Sequence, residues 1–229
     1  MNAHLALQLV AHTKAKAALP VPPIVSIERE WEGETGFIIG GGPSVLTQDI
    51  SRLQGRRVLV INSSYQAAPW ADFLLFSDDR WWADPFHKCH RDRVGDFKGR
   101  ILSAGPSARG ERLLKLRRQQ PPGLALRSDT VTVNFTTYTA AINVLVHLGC
   151  RKIVMLGADG KKSEQGLTHH HEPHDFKTHG MWDAHRRDLK TLVAPLKALG
   201  IECVNASPGT AWADLWPVTS LDDVLRLES

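Results

Sequence analysis

The sequence predicts an α/β fold: a single Rossmann-like, doubly wound, mainly parallel sheet with helices on both faces. Three observations point there. Short uninterrupted apolar runs alternate with longer helical stretches along most of the 229 residues. The runs lack polar alternation, as expected of strands buried on both faces. The first run stops at three glycines and a proline that lead into a helical stretch, the strand–loop–helix order of a crossover unit.

Residues 1–18 carry helical apolar spacing (Leu5, Leu9, Val10) and end at Leu19-Pro20-Val21-Pro22-Pro23. Repeated prolines cannot continue a helix. Residues 1–35 therefore read as an N-terminal helix with a proline-rich linker, and residues 36–229 as the domain. Within it, strands are expected at 37–39, 57–61, 73–76, 153–156 and 201–204, with weaker candidates at 101–102 and 124–126. Helices are expected at 45–53, 109–118, 137–148 and 182–199. Gly149 and Gly200 follow the last two, where a helix C-terminus favours glycine. There is no internal repeat.

Composition excludes several classes. With 42% hydrophobic and 23% charged residues, the chain is an ordinary globular sequence. No apolar stretch approaches the roughly 18 residues of a membrane span. The opening residues lack a charged start followed by an apolar run, so no signal peptide is expected. Cys89, Cys150 and Cys203 are odd in number and far apart. That argues against a disulfide framework or a cysteine zinc site and for a reducing, cytoplasmic compartment. A net charge of +4 suits phosphate-rich partners. The basic residues of 109–118 and 186–197 read as solvated helix faces. No nucleic-acid motif appears, though nucleic acid stays open as an acceptor.

In such a sheet ligands bind beyond the carboxyl ends of the strands, so the residues after each strand are the candidates. After the first come Gly40, Gly41, Gly42, Pro43 and Ser44. Glycines let a ligand approach the backbone, and the N–H groups of a following helix favour an anion. The spacing is neither the dinucleotide fingerprint nor a P-loop, and a plain glycine turn would look the same. After the second strand, Asn62 and Ser63 could read a base or ribose, or cap a helix. After the third, Asp78 and Asp79 could bind ribose hydroxyls or a divalent cation, or cap a helix over 80–89. Asn134, Thr136 and Thr137 precede the strong central helix, and Gly157, Asp159 and Lys161 follow the 153–156 strand. Residues 168–185 hold His169, His170, His171, His174, His179 and His185, a supply of general bases or metal ligands matching no zinc signature.

These motifs in this order resemble the bacterial sialyltransferases that use a cytidine-monophosphate sugar donor. They also resemble the related proteins with a hydroxymethylpterin diphosphokinase-like domain; similar chains occur in phage genomes. The similarity spans residues 36–204. Gly40 to Ser44 is similar to the family's Gly-Asn-Gly-Pro-Ser loop, Asn62 to its nucleotide-contacting asparagine, and 148–159 to its Leu-Gly-x-x-x-Ile-x-Leu-x-Gly-x-Asp motif. This chain has Gly41 for an asparagine, Tyr138 for a glycine, Lys161 for a tyrosine and Asp78 for an asparagine. The resemblance implies a transferase acting on a nucleotide or nucleotide-sugar donor and a hydroxyl acceptor, most simply a glycosyltransferase. His179 would then be the general base, with His171 and His174 as competitors, and Thr136, Thr137 and Lys161 would steady the departing phosphate. No cofactor is implied with certainty, and Mg²⁺ is possible. The alternatives are a diphosphokinase holding Mg²⁺ on Asp78, Asp79 or Asp159, and a non-catalytic nucleotide-binding protein.

Overall fold

In the computed structural model, residues 19–83, 89–172 and 181–228 are described. The expected apolar runs form β1 (Thr35–Ile39), β2 (Arg57–Ile61) and β3 (Phe73–Phe76), followed by β4 (Arg100–Ser103) and β5 (Leu113–Lys115). Next come β6 (Arg117–Gln119), β7 (Thr130–Thr132), β8 (Lys152–Leu156) and β9 (Glu202–Asn205). Seven of these make one sheet, ordered β5-β4-β3-β2-β1-β8-β9, and β6 pairs with β7 beside it. Every pairing is parallel. The doubly wound fold is as the sequence predicts.

The pleat sorts the apolar runs into two cores. Ile38, Leu59, Leu75 and Met155 point to one face, and Phe37, Val58, Leu74 and Val154 to the other. The first face is covered by α2 (Thr137–Leu148) and by α3 (Trp182–Ala198), which brings Leu189, Leu192 and Leu196. The second carries Trp81 and Trp82 of α1 (Asp79–Ala83) and Leu221, Val224 and Leu225 of α4 (Leu221–Leu227). Each fully buried large side chain contributes on the order of 1.5–3 kcal/mol. Ten of the twelve residues of α2 are buried, so it is the helix wedged deepest against the sheet. Thr136 caps it by accepting from the Tyr138 N–H, and Gly149 ends it at φ 94, a left-handed conformation that glycine adopts without strain.

Three expectations fail. Residues 109–118 form no helix. Leu113 and Leu116 are buried, and Leu113–Lys115 pairs with β4, so strand pairing overrides the helix propensity of Leu, Lys and Arg. Residues 124–126 form no strand; Leu126 is 93% exposed, and the strand falls instead on the β-branched Thr130–Thr132. Residues 45–53 make two 3₁₀ turns, Pro43–Thr47 and Ile50–Leu53, broken where the Asp49 carboxylate accepts from the Ser51 N–H. The helix expected over 80–89 is present as Asp79–Ala83, beyond which lie residues outside those described. So do residues 1–18 and the helix expected there.

The segment before β1 is bound to the domain. Trp31 is buried edge-on against Phe73, with ring centroids 5.2 Å apart, and its N–H donates to the Leu148 carbonyl. Ile24 makes a single bridge to Lys115 on the outer edge of β5, and Val218 does the same to Asn205 on β9. Among the described residues, no helix is long and apolar enough to cross a membrane.

Candidate functional site

A cavity of about 610 Å³ opens beyond the carboxyl ends of β1, β2, β3 and β8, between the N-termini of α2 and α3. Of the residues named from sequence, Gly41, Gly42, Asn62, Asp78, Asp79, Asn134, Thr136, Thr137, Gly157, Asp159, Lys161 and His171 line it. Gly40, Pro43, Ser44 and Ser63 stand behind its wall. His174 and His179 lie outside the described residues.

The glycine loop is arranged differently from the expectation. A Cβ on Gly40 would lie 1.9 Å from the Tyr138 hydroxyl, and one on Gly42 would lie 1.9 Å from Asp159 Oδ2 and 2.4 Å from the Gly157 carbonyl oxygen. One on Gly41 would meet His169 and His171 at 3.0 and 3.2 Å. Each glycine thus makes room for the protein's own side chains. The N–H groups expected to await an anion are largely engaged. Gly40 donates to Leu156, Gly42 to Gly157, and Ser44 to Asp159 Oδ1 at 3.1 Å. Ser44 Oγ also donates to Asp159 Oδ2 at 2.9 Å. A carboxylate therefore already sits at the start of the Pro43–Thr47 turn. Burial raises the Asp159 pKa, while the two Ser44 hydrogen bonds pull it back down.

Asn62 shows the opposite situation. It is the one non-glycine residue with positive φ among those described, at φ 50, and its amide oxygen is buried without a hydrogen-bond partner. A left-handed backbone and an unsatisfied buried acceptor each cost free energy, on the order of 1–3 kcal/mol. Both occur on one residue at the end of β2, where the cavity lies.

The three acids do not converge on a cation. Asp78 accepts from Arg80 through both oxygens, Asp79 Oδ2 accepts from the Ser107 N–H, and Asp159 is held by Ser44. Among the described residues no group of three or more His, Cys, Asp or Glu could hold a metal ion.

His169 and His185 of the histidine run line the cavity too, and it also gathers residues the sequence did not single out: Pro106, Arg118, Phe135, Met181, Trp182 and Trp212. His185 was visible in the histidine run; the aromatic residues carried no signal, being distant in sequence and plausible as core. His185 sits in the first turn of α3, beside the Phe135 backbone. Its neighbour Asp188 accepts from the Phe135 N–H at 2.8 Å. Burial lowers the His185 pKa, opposed by the Asp188 charge and the Phe135 contact. Burial also lowers that of His171, whose Nδ1 lies 2.8 Å from the Glu172 carbonyl.

Fold and cavity define a doubly wound α/β protein with a ligand cleft at the strand ends. Among solved structures it is similar to the sialyltransferase CstII from Campylobacter jejuni in complex with cytidine-5'-monophosphate. The TM-score is 0.51 and the identity 14%, over 82% of this chain and 85% of that one. The same enzyme with CMP-3FNeuAc scores 0.49 at 13% identity, over 81% of this chain and 86% of that one. CST-II with a trisaccharide acceptor and CMP scores 0.48 at 13%, with the same coverage. At such identity the likeness is one of fold. No family model and no curated protein matches the sequence.

Proposed function

We propose that this chain is a glycosyltransferase that takes a sugar from a nucleotide-activated donor and passes it to an acceptor hydroxyl. Asn62 carries the reading. Its buried amide oxygen needs an N–H or O–H donor, and a base amine or ribose hydroxyl supplies one at a strand end. The fold neighbour in complex with cytidine-5'-monophosphate favours a cytidine nucleotide as the first ligand to try.

Asp159 occupies the anion position of the glycine loop, so the donor phosphate is assigned to the N-terminus of α2. There Thr136, Thr137 and Asn134 line the cavity, with Lys161 across it. The dipole and the lysine stabilise charge as the bond from the anomeric carbon to the phosphate oxygen breaks. The acceptor oxygen forms the new bond to that carbon, and its proton passes to a histidine. The resemblance assigns this role to His179, with His171 and His174 as competitors; His185 is a further candidate. It lines the cavity, and burial lowers its pKa, which favours the neutral form a base needs. The diphosphokinase alternative would use Asp79, whose buried Oδ1 has no hydrogen-bond partner. But Asp78 and Asp159 are each bonded through both oxygens within the protein, and no group of three or more His, Cys, Asp or Glu among the described residues could hold the metal ion.

The experiment is titration with CMP by calorimetry, then turnover of a CMP-sugar by the parent, His185→Ala and His179→Ala. One histidine variant should lose about a hundred- to ten-thousand-fold in turnover and keep its CMP affinity. A parent that binds no nucleotide at millimolar concentration overturns the reading.

A further inference from the structure

Residues 163–172 form a strap over the glycine loop, and His170 ties it to that loop. The His170 backbone N–H donates to the Gly41 carbonyl at 3.0 Å. The His170 ring lies beside the Gly40 backbone, and its Nε2 lies 3.0 Å from the buried hydroxyl of Ser64. Gly40 and Gly41 belong to the loop after β1, and Ser64 to the turn after β2, two residues beyond Asn62. One residue, through its backbone and its ring, therefore ties three separate pieces of chain together.

The chain bends at His170 and His171. With the His170 ring turned toward Ser64, the rings of His169 and His171 come together in the cavity lining, stacked with centroids 4.9 Å apart. They lie over Gly41, whose missing side chain leaves them room. We propose that His170 is a positioning residue: it does not line the cavity, but its ties to Gly41 and Ser64 seat the strap that completes the cavity wall. The inference rests on the nucleotide reading for its choice of ligand.

The chemistry of the ring suits the task. A neutral imidazole has one nitrogen that donates and one that accepts, so it can pair with the Ser64 hydroxyl through Nε2 in either sense. Burial, reinforced by the neighbouring histidines, pushes its pKa down to about 4, so the neutral form holds at ordinary pH. Because the Ser64 turn also carries Asn62, a ligand held by Asn62 and walled by the strap binds the seated form better. A protein seated only part of the time then binds it more weakly, by the fraction seated.

The test uses the full chain, CMP as ligand, and the variants His170→Ala, His170→Gln and Ser64→Ala. Hydrogen exchange of the amides of residues 163–172 is followed together with CMP affinity. His170→Ala should speed exchange in the strap about tenfold or more, leave β8 and α2 at parent rates, and weaken CMP about tenfold. Ser64→Ala should shift both in the same direction by less. His170→Gln, which keeps a donor and an acceptor on one planar group, should recover part of each. Strap exchange at the parent rate in His170→Ala overturns the proposal. So does exchange raised evenly across the sheet, which marks a general structural role. If the parent itself fails to bind CMP, the proposed function falls, and the exchange pattern alone decides the role of His170.

Discussion

Replacing Gly42 with alanine adds one methyl group where the structure has no room for it. The backbone there is ordinary, at φ −65 and ψ 151, so alanine meets no conformational penalty and the cost is one of space alone. The new Cβ falls 1.9 Å from Asp159 Oδ2 and 2.4 Å from the Gly157 carbonyl oxygen. The carboxylate must turn away, surrendering both hydrogen bonds from Ser44, each worth about 1.5–3 kcal/mol when the acceptor is charged. The Gly157 carbonyl is main chain and cannot swing aside, so the 3.0 Å Gly42–Gly157 bond is strained as well. Protonation of the displaced Asp159 recovers part of this, leaving a net loss of about 3–5 kcal/mol. For a domain of this size that corresponds to roughly 6–20 °C in Tm, measurable by calorimetry. Gly41→Ala is the control. Its Cβ meets ring atoms of His169 and His171 at 3.0 Å or beyond, so it should cost about 1 kcal/mol or less. A Gly42→Ala protein melting within about 2 °C of the parent, or a Gly41→Ala protein falling equally far, would refute the reasoning.

Two further outcomes can be checked on the same protein. Glycine adopts the left-handed backbone freely, so Asn62→Gly should hold or gain stability, within about 1 kcal/mol, while CMP affinity falls about tenfold for the lost hydrogen bond; unchanged affinity would remove Asn62 from the site. Stability should also fall as pH drops from 7 to 5. His170, His171 and His185 have folded pKa values below 6.5, so the unfolded chain takes up protons first, and their contribution, complete above 6.5, is lost toward the folded values. For His170, pushed down to about 4, the loss is at most about 3 kcal/mol at the foot of that window. Asp159, raised by burial, acts in the opposite sense above 3.8. Urea titrations of the parent and His170→Gln from pH 7 to 5 read the slope, and equal slopes would refute the assignment.

The strands buried on both faces were legible because nothing polar interrupts them: Arg57–Ile61 and Phe73–Phe76 could be read directly. Leu113–Lys115 and Arg117–Gln119 were not, since three-residue strands bearing Lys and Arg look helical until their pairings with β4 and β7 are seen. The position of the cavity followed from the strand ends. The use made of the glycines did not. The groups that fill their spaces, on Tyr138, Asp159, His169 and His171, lie about a hundred residues or more away, and local sequence carries no record of that packing. Glycine serves an approaching ligand and an approaching side chain equally well.

The outer edges of the sheet have a practical consequence. β5 and β9 are each met by a single bridge, from Ile24 and Val218, placed where an open parallel sheet would otherwise offer unpaired N–H and carbonyl groups to another molecule. These contacts act as guards against self-association. A chain trimmed past Ile24 uncovers the β5 edge while the cavity residues stay in place, so its first symptom should be growth in particle size with concentration, ahead of any change in the melting curve of the dilute protein.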